Sequence, residues 1–226
     1  MSKLRIATWN LDHASNSSRP VDLQIARVRE FNADIVILTE TCDAVDLSRY
    51  GYHSAQTEKN DYGKYCSVIS SKFPFRKSYL THDPATAVCR EVETPLGPLI
   101  IYGTIITYRD DKGEGGTSKR WDEHLREIDK QGANWHDIQG QANRHVPLCV
   151  AGDLNQTRDG SHRYSTKETI ARLDAQLTEN ALDCLTEEDF EVTKKLLPDP
   201  GKGYTRSSVD QICISRGFSM QYEVGA

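Results

Sequence analysis

Short stretches of alternating or continuously apolar residues recur along the chain, and both patterns are typical of β-strands. They predict strands over residues 4–9, 34–38, 66–70, 87–93, 99–106, 146–151, 182–185 and 209–214. Apolar residues spaced three or four apart predict helices over residues 21–31, about 118–140, and 166–180. Strands stand singly before helices and also in hairpins, which favours a mixed sheet, or two sheets, over a purely parallel sheet.

The segments between these elements are polar. Residues 50–65 are rich in turn-forming residues, and residues 94–98 predict a hairpin turn. Residues 109–118 form a charged, glycine-rich loop beside predicted strand ends, where both a substrate contact and a solvated surface excursion remain open. The third helix is predicted to be capped by Ser165, with Glu168 in the capping-box position.

The composition indicates a soluble globular protein. The chain has 226 residues and a net charge of -5, and we expect a single domain over residues 1–226. No window approaches the roughly 20 apolar residues of a membrane span, and the first residues lack the apolar core of a signal peptide. The six cysteines are scattered without a CxxC pair, so neither a zinc site nor a disulfide framework is indicated. We therefore expect a cytoplasmic setting; oligomeric state is not visible in the sequence.

The acidic charge balance bears on the kind of partner. Proteins that grip long nucleic acids through their phosphates usually carry a basic face, and this chain has a pI of about 5.8. A local basic patch, or a divalent metal offsetting carboxylates, could still accommodate a phosphate ester. Long duplex DNA is mildly disfavoured as a substrate.

The clearest candidate for chemistry is residues 145–155, H-V-P-L-C-V-A-G-D-L-N. Its apolar run predicts a buried strand that ends at Gly152. Asp153 and Asn155 follow two residues apart, so an extended backbone would point both side chains into one cleft at the strand's end. The alternative is an Asx turn that merely closes the strand, since Gly, Asp and Asn are ordinary turn residues.

Acidic and amide residues also occur at the ends of three other predicted strands: Asn10 and Asp12, Glu40, and Asp210. Carboxylate and amide oxygens without clusters of histidine or cysteine suit a hard cation, Mg²⁺ or Mn²⁺. Mg²⁺ takes one or two protein carboxylates and completes its shell with water and phosphate. Glu40 alone, or with Asp12, would suffice.

Four segments in this order carry a resemblance to a known family: T-W-N-L-D (8–12), I-V-I-L-T-E (35–40), G-D-L-N (152–155) and S-V-D-Q-I-C-I-S (208–215). The set resembles the endonuclease/exonuclease/phosphatase, or DNase I-like, superfamily, over residues 4–215. The resemblance implies a four-layer α/β sandwich, with two mixed β-sheets packed face to face and helices outside. It implies a Mg-dependent phosphoesterase, most simply a phosphodiesterase or nuclease, acting on a phosphate-ester substrate with nucleic acid among the candidates.

The resemblance also implies roles for single residues. Glu40 matches the family's metal-binding glutamate, Asn10 the asparagine near the metal, and Asp12 a second carboxylate of some nucleases. Asp153 matches the aspartate that activates the attacking water. Asn155 matches its phosphate-contacting companion, and Asp210 the aspartate that hydrogen-bonds a catalytic histidine. Arg158, in the loop that follows, is a further candidate for phosphate binding.

Two departures from the family pattern affect these expectations. The family closes with a Ser-Asp-His motif, and no Asp-His pair follows Asp210 here, so we expect a chain that lacks its C-terminal strand or a degenerate member. The central strand, where relatives carry His or Tyr, places Thr104 or Ile105 in that slot, with Tyr102 or Tyr108 as substitutes. The alternatives are a catalytically impaired binding protein and an unrelated α/β protein whose G-D-L-N is only a turn.

Overall fold

Two β-sheets packed face to face form the centre of the protein, whose computed structural model describes residues 3–12, 18–187 and 208–217. The first sheet contains β1 (Ile6–Asn10), β2 (Ile35–Thr41), β3 (His53–Gln56) and β4 (Tyr65–Ser71), in the order β1-β2-β4-β3. The second contains β5 (Phe75–Tyr79), β6 (Ala87–Thr94), β7 (Gly97–Ile105), β8 (Leu148–Asp153), β9 (Leu182–Cys184) and β10 (Asp210–Ser215), in the order β5-β6-β7-β8-β10-β9.

Both sheets are mixed. β1 and β2 run parallel, as do β7 and β8, whereas the other neighbouring strands pair antiparallel. The parallel pairs are joined through helices: α1 (Ser18–Phe31) lies between β1 and β2, and α2 (Asp122–Gln141) between β7 and β8. A third helix, α3 (Lys167–Glu179), precedes β9. Each crossover connection thus contains the helix that parallel pairing requires.

The buried residues fall into three layers, which confirms the expected α/β sandwich. The central layer between the sheets joins residues such as Ile37 and Ile69 to Ile101 and Ala151. A second layer lies under α2 and α3 and is built around Trp135. The third lies under α1. Alternating side chains of the strands supply both faces of each sheet, because successive residues of a strand point to opposite sides.

The structure departs from the sequence predictions at several elements. β3 and β5 lie where no strand was predicted, because their exposed residues give little apolar pattern: Ala55 is the buried residue of β3, and Tyr79 that of β5. α2 begins at Asp122 rather than Ser118. The cap of α3 is Thr166, paired with Thr169, so the predicted Ser165 and Glu168 capping box was wrong.

Two expectations concern the chain's extent. Of the helices described, none has the length and apolar character that crossing a bilayer requires. The predicted lack of a closing strand and Ser-Asp-His motif concerns residues 218–226, which lie outside the described residues.

Gly152 is the position at which the fold depends most directly on a glycine. Its φ is 139°, and a Cβ there would lie 2.0 Å from the backbone oxygen of Thr104 on β7. We expect Gly152→Ala to lower the free energy of unfolding by about 3 kcal/mol, since both strain and a backbone clash oppose it. Gly140→Ala is the control, because a Cβ there meets nothing within 4 Å on an exposed helix face. Urea unfolding that finds both variants equally stable would contradict this account.

Candidate active site

Polar residues from four strands converge at one edge of the sandwich. Asn10 ends β1, Glu40 lies near the end of β2, and Asp153 ends β8. Asp210 begins β10, which runs antiparallel to β8, so its first residue pairs with Asp153. β1 packs across β8 and β10, and this contact between the sheets places Asn10 beside Asp153. The G-D-L-N segment is therefore part of a polar cluster and not an isolated turn.

Asn10 connects the two sheets through its amide group. Its Nδ2 donates a hydrogen bond to Asp153 Oδ2 at 2.8 Å. Its Oδ1 accepts one from the backbone N–H of Asp12 at 2.7 Å. Both ends of the amide are thus engaged within the protein, and the arrangement fixes the orientation of the Asp153 carboxylate. Asp12 is exposed and has a φ of 50°.

Asn155 holds the other oxygen of the same carboxylate. Its backbone N–H donates to Asp153 Oδ1 at 2.8 Å, and its side-chain Nδ2 donates to the carbonyl oxygen of Ile106 at 2.8 Å. Asn155 has a φ of 48°, a conformation that asparagine adopts more readily than most residues. The Asx turn proposed as the simple alternative does exist, and it orients Asp153 for the site.

Burial dominates the electrostatics of the two aspartates. It raises the pKa of Asp153 to about 6, against the lowering effect of the hydrogen bonds from Asn155 and Asn10, and the charge of Glu40 adds to the rise. Burial likewise raises the pKa of Asp210 to about 7, reinforced by the charge of Asp153. Within the described ranges, the buried Oδ1 of Asp210 has no hydrogen-bond partner. The site therefore holds two buried carboxyl groups that resist simultaneous ionisation.

These shifts predict an unusual pH dependence of stability. Both pKa values are raised above the ordinary value of 3.8, so the folded protein binds more protons than the unfolded chain from about pH 4 to pH 7. This extra proton binding stabilises the folded protein. The stabilisation is complete below pH 4 and is lost as the pH rises through 7. In EDTA, we expect the loss between pH 5 and pH 8 to be about 2–4 kcal/mol smaller in Asp210→Asn than in wild type. Urea unfolding at each pH measures the free energy of unfolding. An equal loss of that free energy between pH 5 and pH 8 in the two proteins would contradict the prediction.

A cavity of about 430 Å³ opens beside Glu40 and Asn155. Tyr108, 53% exposed, lines it together with Lys64 and Tyr65. The sequence did not single out Lys64 or Tyr65, because they stand in or beside a segment predicted to be only turns. The one available signal was a lysine next to an aromatic residue at the start of a strand, which is too common to be informative. Lys64 gives the cavity wall a positive charge suited to an anion.

The residues considered for the central slot lie in different surroundings. Ile105 lines the cavity, whereas Thr104 is buried and its hydroxyl donates to Gln131 Oε1 at 3.1 Å. Tyr102 is fully buried, with its ring edge-on to Trp135, so the suggestion that Tyr102 substitutes for a site histidine was wrong. Tyr108 alone of the two substitute tyrosines reaches the cavity.

Arg158 lies away from this cavity. Its Nη2 donates to Asp174 Oδ1 at 2.7 Å and to Glu187 Oε2 at 3.3 Å, and it lines a different cavity that shares no lining residue with the first. This placement argues against its predicted contact with the substrate phosphate.

The donor groups fit a magnesium ion that keeps most of its water. Among residues 3–12, 18–187 and 208–217, no three His, Cys, Asp or Glu side chains are grouped so as to hold a metal on their own. Mg²⁺ does not require such a group, since one or two carboxylates suffice when water and phosphate complete the shell. Glu40, which has a φ of 52°, is the one carboxylate among the described residues that line this cavity.

The sequence and the fold are both similar to those of known proteins. The model of the Endonuclease/Exonuclease/phosphatase family matches residues 7–212. The chain is similar to the structure of an AP endonuclease from Archaeoglobus fulgidus, with 15% identity, a TM-score of 0.65, and coverage of 94% of this chain and 87% of that one. It is also similar to the 3'-5' exonuclease NExo from Neisseria meningitidis, with 15% identity, a TM-score of 0.66, and coverage of 94% of this chain and 87% of that one.

The catalytic domain of human Nocturnin, with a bound sulfate anion, is a further relative in structure, with 19% identity, a TM-score of 0.62, and coverage of 94% of this chain and 83% of that one. No curated protein matches the sequence. At these identities, the structural likeness establishes the fold.

Proposed function

The chain belongs to the endonuclease/exonuclease/phosphatase family, whose nucleases and phosphatases hydrolyse phosphate esters, and we propose that it is a Mg²⁺-dependent phosphodiesterase. The observation that carries the proposal is the Asp153 carboxylate, held at both oxygens by Asn10 and Asn155 beside the cavity of Glu40. Such fixed orientation suits a group that must accept a proton from one water molecule.

Each residue of the site has a part in this mechanism. Asp153, with its pKa raised to about 6, is ionised at neutral pH yet basic enough to take the water's proton. Asn10 and Asn155 fix its two oxygens, and Asp210 lies behind it as a buried carboxyl group. Mg²⁺ bound through Glu40, with Mn²⁺ as a substitute and Asp12 as a candidate second ligand, would neutralise charge on the phosphoryl oxygens.

The cavity wall supplies the substrate contacts. Lys64 and the exposed Tyr108 lie where a phosphate ester would enter, and the amide of Asn155 is on the same wall. Tyr108 can offer its hydroxyl to a phosphoryl oxygen or its ring to a base. We infer a phosphodiester of modest size, including short or single-stranded nucleic acid, because the chain is acidic overall.

The cellular setting is inferred from the thiols. The six cysteines are scattered along the sequence without the regular spacing of a secreted disulfide framework, and this supports a cytoplasmic setting.

The test is hydrolysis of bis(p-nitrophenyl) phosphate, p-nitrophenyl phosphate and a short single-stranded oligonucleotide, each with Mg²⁺ and with EDTA. The proposal expects Mg²⁺-dependent cleavage of the diester substrates that EDTA abolishes. Cleavage of the monoester alone would identify a phosphatase. Oligonucleotide binding without cleavage of any substrate would favour the alternative of an impaired binding protein, which the absence of a histidine from the central slot at Thr104 or Ile105 motivates.

A further inference from the structure

Two cysteines face each other at the edge of the second sheet, away from the proposed active site. Cys184 of β9 is the direct partner of Cys213 of β10. The next pair, Leu185 and Ile212, is hydrogen-bonded, with Leu185 N–H donating to Ile212 O at 2.8 Å. Because such pairs alternate, Cys184 and Cys213 form a non-hydrogen-bonded pair, in which the Cα atoms lie about 4.5 Å apart. That separation is within the range that a disulfide bridges.

The two thiols differ in their access to solvent. Cys213 is fully buried, whereas Cys184 is partly exposed and lines a cavity of about 530 Å³ between α3 and the edge of the sheet. Cys184 Sγ lies 3.3 Å from Gln211 Oε1. A small reagent can thus reach Cys184 first, and Cys213 lies directly behind it.

Arg158 places a buried positive charge beside this pair. Its side chain is 8% exposed and lines the same cavity as Cys184. Its ion pairs use Nη2, and its buried Nε and Nη1 make no hydrogen bond to any described residue. A guanidinium so placed stabilises a neighbouring thiolate.

The pKa values follow this arrangement. The hydrogen bond from Cys213 and the charge of Arg158 lower the pKa of Cys184 despite its burial. Cys66, the other partly exposed cysteine, has its pKa raised by burial and by the charges of Asp83 and Glu40. Cys184 is therefore the thiol best placed to react at neutral pH.

We propose that Cys184 and Cys213 form a redox-modification site, in which a hydroperoxide oxidises Cys184 and Cys213 then closes a reversible disulfide between β9 and β10. The Cys184 thiolate attacks one oxygen of hydrogen peroxide; the S–O bond forms, the O–O bond breaks, and the hydroxide leaves as water after taking a proton from solvent. The Cys213 sulfur then attacks the Cys184 sulfur. The S–S bond forms, the S–O bond breaks, and the hydroxide leaves as water with the proton of Cys213.

The electrons balance in this sequence. The two thiols lose two electrons together, and the peroxide is reduced to two molecules of water. A dithiol reductant restores both thiols by exchange. Closure ties the edge strand β9 to β10, the strand that begins with Asp210.

The experiment treats the full chain with one equivalent of hydrogen peroxide, blocks the remaining thiols and maps the peptides by mass spectrometry. The expected product is a Cys184–Cys213 cross-link, lighter by about 2 Da than the paired thiol peptides and removed by dithiothreitol. In the Cys213→Ser variant, oxidation should stop at a sulfenic acid on Cys184, which dimedone traps. Cys66→Ser is the control and should form the cross-link as wild type does.

A second measurement covers the case in which a cysteine variant fails to fold. In the wild-type protein at pH 7, iodoacetamide should modify Cys184 faster than Cys66. Arg158→Gln should slow the modification of Cys184 by roughly threefold for each unit by which the pKa of that thiol rises, because a more basic thiolate is less abundant but more nucleophilic. A wild-type protein that forms no cross-link, or that alkylates Cys184 no faster than Cys66, would overturn the proposal.

Discussion

Asp153→Asn is expected to lower kcat by about 10³-fold, with little change in KM and a loss of stability of no more than about 2 kcal/mol. Asparagine keeps the shape of the side chain and an oxygen that can accept the N–H of Asn155, but it cannot take a proton from water. The substitution removes the cost of burying a charged carboxylate, but the new amide NH2 faces the Nδ2 donor of Asn10, and these two effects on stability oppose each other. The measurement is steady-state hydrolysis of a phosphodiester with Mg²⁺, alongside a urea-unfolding curve.

The matched control for this prediction is Asp129→Asn on α2. Asp129 pairs with Arg172 at the surface, where an ion pair contributes little. The kcat of the Asp129→Asn variant should stay within about twofold of the wild-type value. Wild-type activity in Asp153→Asn would remove Asp153 from the mechanism, and an equal loss in both variants would point to a general effect on the fold.

Glu40→Gln has the second largest expected effect, and it acts through the metal. The amide keeps the size of the side chain and loses the charge that a hard cation requires. Since metal binding supplies several kcal/mol to the transition state, we expect a loss of about 10²-fold or more in kcat/KM, partly recovered at high Mg²⁺. The measurement is activity as a function of Mg²⁺ concentration.

Glu58→Gln provides the control, because Glu58 is an exposed glutamate of the same sheet region. Its Mg²⁺ dependence should match that of wild type. A Glu40→Gln variant with an unchanged Mg²⁺ requirement would show that the cation is held elsewhere.

Much of the fold and of the site could be predicted from the sequence, because the relevant patterns are local. The apolar run before Gly152 and the segment that ends at Glu40 are strands. Asp153 and Asn155 meet through the Asx turn that the residue types allowed, because the extended backbone ends at Asp153 and Asn155 has a φ of 48°. The pairing of Asp210 with Asp153 follows once β10 and β8 are antiparallel neighbours. The polar strand ends therefore marked the edge at which the sheets converge.

The remaining features depend on contacts between distant parts of the chain. Arg158 was expected at the phosphate because it follows the G-D-L-N segment, yet its ion pairs with Asp174 and Glu187 direct it to another cavity. Lys64 reaches the cavity only through the pairing of β4 with β2, which no local pattern reveals. His124 illustrates the same limit: it is buried, and its Nδ1 donates to Thr107 O at 2.7 Å, a contact between residues 17 positions apart that no local pattern reveals.

The most direct test of the metal-dependent site is a crystal structure of the protein grown with Mn²⁺, with anomalous diffraction recorded at the manganese edge. We expect an anomalous peak within coordination distance, about 2.2 Å, of a Glu40 carboxylate oxygen, on the cavity wall shared with Asn155. The Glu40→Gln crystal should show a weaker peak or none. Anomalous density that is absent from Glu40 and present at another cluster of carboxylates would contradict the account.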